Sequence, residues 1–211
     1  MQVDSNREIE QIIDQRIKAS LDEGRPSRSQ TVPIGNELKS LPVISLPVTF
    51  PIFNHNNHRL SAQIKDSDLH KKIFDNPYSD ASQKLILELL SETEEFTKLK
   101  DELKNLGQRD PGLINRNGIL VNGNTRCAAL RLLNIEGVDN AKSIDVAVLP
   151  EGITEPDIAD IEMELQMRKL THQSYTFTNE LLFMKSYKRS GKSDNELVSA
   201  MGWQKGKRGE A

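Results

Sequence analysis

Residues 118–133 read Gly118-Ile119-Leu120-Val121-Asn122-Gly123-Asn124-Thr125-Arg126-Cys127-Ala128-Ala129-Leu130-Arg131-Leu132-Leu133. Residues 119–121 predict a short buried strand, because an uninterrupted apolar run stands ahead of a turn signal at Asn122-Gly123. Beyond the turn, apolar residues recur at helical spacing, at Ala129, Leu132 and Leu133. The stretch therefore predicts a strand, a tight turn and a helix.

The start of the predicted helix is a candidate anion site. Asn124 or Thr125 is expected to cap it, because a short polar side chain accepts a hydrogen bond from a first-turn amide. Arg126 follows in the first turn, and Gly123 allows a ligand to approach the backbone closely. Helix-start amides beside an arginine suit a phosphate. A well-capped turn that carries a surface arginine is the alternative.

Several segments around this motif carry a family resemblance. The box Asn54-His55-Asn56-Asn57-His58-Arg59 keeps the ends of an NPxQPR motif and has histidine in place of both prolines. Downstream, Leu99 to Gly107 corresponds to a helix, Asp110 to Ile114 to a strand, and Gly123 to Ala129 to a GERRxRA motif. On these residues the chain resembles the N-terminal domain of the ParB/sulfiredoxin superfamily.

The resemblance implies an α+β fold, with a small mixed-sheet domain followed by a helical, helix-turn-helix-like module. It also implies a nucleoside triphosphate, CTP or ATP, that acts with Mg²⁺ as a switch on a DNA-associated protein. The implied nucleotide-binding residues are Gly123, Asn124, Thr125, Arg126, Asn54 and Arg59. Two arginines of GERRxRA are replaced by Thr125 and Ala128, so the motif carries less positive charge.

A second segment of the resemblance concerns the magnesium ion. Met163 to Arg168 is similar to the family's ENLQR segment, with Glu164 at the position of its Asn and Glu162 one position before its Glu. Carboxylates are preferred magnesium ligands, so Glu164 is the expected metal ligand, and both glutamates are candidate catalytic residues. The alternative is that both are solvated helix residues.

The chemistry separates several functional classes. A sulfiredoxin needs a nucleophilic cysteine where this chain has Asn124, and Cys127 is expected to be a small core residue, so sulfiredoxin activity is disfavoured. A slow NTPase remains open. A nucleotide-driven nuclease or kinase-like enzyme, with Glu164, Asp110 or Glu162 as base, also remains open, as does a DNA-binding regulator without nucleotide.

The predicted organisation has three parts. Residues 1–40 comprise an amphipathic helix over residues 5–21 and, from residue 24, a mobile linker or an extended arm; the helix packs on its own domain or forms a homodimer contact. Residues 41–152 form the α/β domain, in which residues 61–93 look like an insertion. Residues 153–211 form the helical module, whose first helix begins at a Thr154–Asp157 capping box.

The end of the chain is locally basic. From Lys185 onward, seven basic residues face three acidic ones, a balance of +4. Such a surface suits DNA, and the candidate contacts are Lys192, Lys205, Lys207 and Arg208. Because the chain ends where a recognition helix would begin, we expect it to be a piece of a longer protein.

Whole-chain composition restricts the class of protein. The chain has 211 residues, 36% of them apolar, and its formal net charge of -3 indicates no global attraction to nucleic acid. A single cysteine excludes an intramolecular disulfide. No apolar run approaches the length of a membrane span or a signal peptide core, which predicts a cytoplasmic protein without membrane contact.

Overall fold

The structure is a computed structural model that describes residues 2–22, 28–35, 37–57, 60, 73–93 and 95–170, with backbone alone for 2–6, 21–22 and 166–170. The helices are α1 (Gln2–Asp22), α2 (Asp80–Ser91), α3 (Phe96–Leu106), α4 (Asn124–Ile135) and α5 (Glu155–Leu170). The strands are β1 (Ser29–Ile34), β2 (Glu37–Pro47), β3 (Gly112–Ile114), β4 (Leu120–Asn122) and β5 (Ser143–Val148). A short 3₁₀ helix, Asp139–Ala141, precedes β5.

In the described part of the chain, the strands form one mixed sheet of five strands in the order β1-β2-β5-β3-β4. Strands β3 and β5 are parallel, whereas the other neighbouring pairs are antiparallel. The predicted α+β class with a mixed sheet is confirmed. The dipeptide Asn117-Gly118, a hairpin signal in the sequence, lies between β3 and β4, which pair as antiparallel neighbours.

Helices cover the sheet on both faces. In β2, Ile44 and Leu46 belong to the core shared with α1, α2, α3 and α4, whereas Leu41 and Val43 belong to the core on which α5 packs. The same alternation continues in β5, because successive side chains of a strand point to opposite faces. The two cores hold α4 on one side of β4 and α5 on the other.

The segment predicted as a mobile linker or an extended arm, residues 24–40, is largely β-structure where the structure describes it. Strand β1 and the first part of β2 form an antiparallel hairpin that turns at Gly35 (φ 61°). Val32 and Ile34 of β1 are buried in the core under α5. Polar, glycine and proline residues outnumber apolar residues in this segment, so its composition is typical of a linker.

Strand β2 contains two prolines, which favour an edge or a broken strand, but it lies between β1 and β5. It pairs with β1 up to Pro42 and with β5 from Val43 to Pro47. Each proline therefore stands where one ladder ends, so few hydrogen bonds are lost to its missing N–H. The edge position belongs to β1.

Several predicted helix boundaries are confirmed. Helix α3 ends at Gly107, and α5 begins with the predicted capping box, in which Thr154 N–H donates to Asp157 Oδ2 (2.9 Å). Helix α2 begins at Asp80, because the side chain of Ser79 caps it by accepting the Ser82 N–H. Within the described residues, α1 packs on its own domain through Ile13.

Helix α5 was predicted to open a separate module at residue 153. In the structure it shares a core with the sheet, through Ile161 and the partly buried Ile158 and Leu165. The α/β domain therefore includes at least the first part of α5. None of the helices in the described ranges is long and apolar enough to cross a membrane.

Candidate functional site

The start of α4 is organised by Gly123. Asn124 or Thr125 was predicted to cap this helix, but Gly123 is the N-cap residue and adopts a left-handed conformation (φ 97°). Its carbonyl accepts the N–H of Cys127 at 2.8 Å, the first helical hydrogen bond. A Cβ at Gly123 would lie 3.1 Å from Cα of Gly112 in β3, so only glycine fits without displacement.

Asn124 is buried and connects the predicted box to this helix. Its Oδ1 accepts the backbone N–H of Asn54 (3.0 Å), and its Nδ2 donates to the Leu120 carbonyl (3.1 Å). Asn54 is also buried, and its Oδ1 accepts the N–H of Asn56 at 2.9 Å. The structure thus brings Asn54 and Asn124 together, and both side chains are engaged in shaping the loop.

Arg126 lies in the first turn of α4 and is only 9% exposed. Its Nη1 donates to the Pro111 carbonyl at 3.2 Å and lies 3.6 Å from the position of a Cβ on Gly123. The guanidinium group therefore lies close to Gly123, which itself approaches Gly112, the first residue of β3. Thr125 beside it is buried as well. The alternative of a surface arginine is wrong for this position.

Two side chains that the sequence did not single out hold the segment before Asn54. Gln83 of α2 bonds both the N–H (2.8 Å) and the carbonyl (3.2 Å) of Phe53. Arg131 of α4 donates from Nε to the Val48 carbonyl (3.0 Å) and lies 4.3 Å from the centre of the Phe53 ring. Arg131 belongs to the helix that the motif predicts. Nothing in the sequence indicates that Gln83 contacts the Phe53 backbone.

His55, the residue after Asn54, lies in an aromatic environment. Its ring meets Phe74 and Tyr78 edge-on, with centroids 5.3 and 5.9 Å apart. Among the described residues, its buried Nδ1 has no hydrogen-bond partner. Burial lowers the pKa of His55, while Glu155 in the first turn of α5 acts in the opposite direction.

The two candidate carboxylates lie on α5, which packs against β1 and β4. Glu162 is 4% exposed and Glu164 is half-buried. Their neighbour Ile161 shares a core with Val121 of β4, two residues before Gly123. Within the described ranges, no three His, Cys, Asp or Glu side chains are grouped closely enough to hold a metal ion. The role of Glu164 as a magnesium ligand stays a prediction.

Cys127 is completely buried in the core, as the sequence predicted. Burial raises the pKa of its thiol to about 11, although Arg131 opposes the change. Its Sγ lies 3.7 Å from the Val48 carbonyl. A protonated thiol inside the core is poorly suited to act as a nucleophile.

Several predicted site residues lie outside the described residues. They are Arg59 of the box and the candidate DNA contacts Lys192, Lys205, Lys207 and Arg208. Their roles stay predictions.

No family model matches the chain, and no curated protein matches it. A solved structure that is similar to it is the C2221 form of a Pnob8-like ParB-N domain, with 13% sequence identity and a TM-score of 0.45. The similarity covers 77% of this chain and 51% of the other, so this chain spans about half the length of that one.

Proposed function

We propose that this chain is a ParB-like protein that binds a nucleoside triphosphate and associates with DNA, with the nucleotide and Mg²⁺ acting as a switch. The observation that carries the proposal is the nearly buried Arg126 in the first turn of α4, close to the left-handed Gly123. A guanidinium group at the start of a helix, beside a glycine that lets a ligand approach the backbone closely, is a suitable partner for a phosphate.

The donors at this position have the chemistry that phosphate oxygens require. The first amides of an α-helix have no intrahelical acceptor, and the helix dipole places partial positive charge beside them. The guanidinium group of Arg126 is planar and presents several N–H donors in a geometry that matches phosphate oxygens. In this proposal the backbone of Gly123, Asn124 and Thr125 and the side chain of Arg126 bind the phosphates.

The box and α5 would supply the remaining contacts. Asn54 is attached to Asn124, which places the box beside the helix start, and Arg59 follows five positions later. We assign Arg59 to the far end of the triphosphate and Glu164 to the magnesium ion. Glu164 would hold the ion, and the charge of the ion would offset part of the negative charge of the phosphates.

The first experiment is a thermal-shift series with Mg²⁺ and each of ATP, GTP, CTP and UTP. A ligand that binds the native state raises the melting temperature by mass action. We expect one nucleotide to stabilise the wild-type chain and to lose its effect in Arg126→Ala and in Arg126→Met, which keeps much of the side-chain volume. The exposed Arg109→Ala is the matched control and should behave like the wild type.

No stabilisation of the wild-type chain by any of the four nucleotides would contradict the proposal. The favoured function would then be that of a DNA-binding regulator without nucleotide binding. Retained stabilisation in both Arg126 variants would remove Arg126 from the site.

Hydrolysis and magnesium are tested separately, by following product formation in the wild type, Glu162→Gln and Glu164→Gln. A switch predicts at most slow hydrolysis, whereas nuclease or kinase-like chemistry predicts cleaved nucleic acid or a phosphorylated product. Glu164→Gln should require more Mg²⁺ for the same thermal shift. An unchanged Mg²⁺ requirement would exclude Glu164 as a ligand.

DNA association is tested by gel shift at increasing salt. Substituting Lys205, Lys207 and Arg208 together by glutamine should weaken binding and reduce its dependence on salt concentration. Binding that does not change would place the DNA contact elsewhere.

A further inference from the structure

We propose that Gln83 is a positioning residue of the anion site, so that helix α2, which belongs to the predicted insertion, is part of that site. The inference rests on the proposed function of the α4 start. It concerns how the Phe53–Asn54 backbone is held against that helix.

Gln83 binds one residue of the loop as a neighbouring strand would. Its Oε1 accepts the Phe53 N–H at 2.8 Å, and its Nε2 donates to the Phe53 carbonyl at 3.2 Å. The same Nε2 donates to the Pro77 carbonyl at 2.9 Å, ahead of α2. Phe53 is fully buried, and a buried backbone group that lacks a partner is costly. Gln83 satisfies both polar groups of this residue.

One peptide unit connects Gln83 to the site. The carbonyl of Phe53 and the N–H of Asn54 belong to one peptide unit, which resonance keeps planar. Gln83 binds the oxygen of this unit, and Asn124 Oδ1 accepts its N–H at 3.0 Å. Rotating the plane would break both bonds. Gln83 therefore helps to fix the orientation of the backbone that enters the box beside Asn124.

Helix α4 contributes a second hold on the same segment. The guanidinium group of Arg131 covers the Phe53 ring and donates to the carbonyls of Val48 and Pro51. Loss of Gln83 would leave the Phe53 side chain in place. The peptide plane after it, however, would be held only at its N–H end, so the expected change is local.

The test compares Gln83→Met, which removes all three hydrogen bonds and keeps the length of the side chain, with the exposed Lys84→Met on the same helix. The exchange rate of the Asn54 amide is measured by NMR. Calorimetry measures the dissociation constant of inorganic tripolyphosphate with Mg²⁺, well below the melting temperature. In Gln83→Met we expect the Asn54 amide to exchange faster and tripolyphosphate to bind about tenfold more weakly. Lys84→Met should resemble the wild type in both measurements.

The outcomes separate the two proposals. If the wild type binds tripolyphosphate and Gln83→Met binds it equally well, Gln83 has a structural role alone and this inference is overturned. If the wild type does not bind, the proposed anion site fails and the positioning role fails with it. Unchanged exchange at Asn54 in Gln83→Met would show that the peptide plane does not need Gln83, which also overturns the inference.

Discussion

The backbone N–H of Asn54 donates to the side-chain Oδ1 of Asn124 at 3.0 Å, although 70 positions of sequence separate the two residues. This bond joins the polar box after β2 to the first residue of α4. Because Asn124 also donates to Leu120, one buried amide connects the box, β4 and α4.

Replacing Asn124 by alanine should destabilise the fold by about 3 kcal/mol, because two hydrogen bonds are lost and their backbone partners become unsatisfied. Urea unfolding measures this change. The matched control is Asn56→Ala, at an exposed position of the same box, which should change stability by less than about 0.5 kcal/mol. Equal effects of the two substitutions would show that the Asn124 amide does not join these elements.

Substituting Gly123 by alanine should cost more stability than substituting Gly137. Both glycines have positive φ, 97° and 80°, but a Cβ at Gly123 would lie 3.1 Å from Cα of Gly112, whereas at Gly137 nothing lies within 4 Å. We expect about 1 kcal/mol for the strained backbone in Gly137→Ala and about 2 kcal/mol or more in Gly123→Ala. The unfolding free energies of the two variants test this prediction. A smaller loss of stability in Gly123→Ala than in Gly137→Ala would mean that β3 moves away from the new methyl group at little cost.

Cys127 should react slowly with iodoacetamide in the native chain. Because burial raises its pKa to about 11, compared with an ordinary 9.0, the thiolate fraction at pH 9 falls by more than about tenfold, and closed packing slows the reaction further. The unfolded chain in urea is the reference, and the single cysteine makes the mass shift unambiguous. A native rate close to that of the unfolded chain would restore Cys127 as a candidate nucleophile.

His55 should make stability depend on pH on the acidic side. In the folded chain, burial lowers the pKa of His55 below its ordinary value of 6.5. Glu155 raises this pKa, but its influence is smaller than that of burial. Below pH 6.5 the unfolded chain therefore binds a proton that the folded chain does not, so the unfolding free energy falls as the pH is lowered toward the folded pKa. Urea unfolding between pH 7.5 and 5 should show a shallower decline in His55→Leu than in the wild type; parallel curves would contradict the prediction.

Local patterns accounted for the elements that lie close together in sequence. The β3–β4 hairpin, the turn into α4, the end of α3 at Gly107 and the Thr154 capping box each depend on a few neighbouring residues. The sequence patterns missed the β-structure of residues 24–40 and the interior position of β2. The hairpin itself pairs β1 with β2, but its burial depends on packing against α5, and the rest of β2 pairs with β5. No short window of sequence contains either of these two contacts.

For the site, the sequence alone determined where an anion could meet a helix start, because a glycine turn followed by polar residues and an arginine has that meaning locally. Only the tertiary structure decided that Gly123 is the cap, that Arg126 is buried, and that Gln83 and Asn124 hold the two ends of one peptide unit. Burial and long-range hydrogen bonds depend on which segments the sheet brings together. Local propensity carries no information about those contacts.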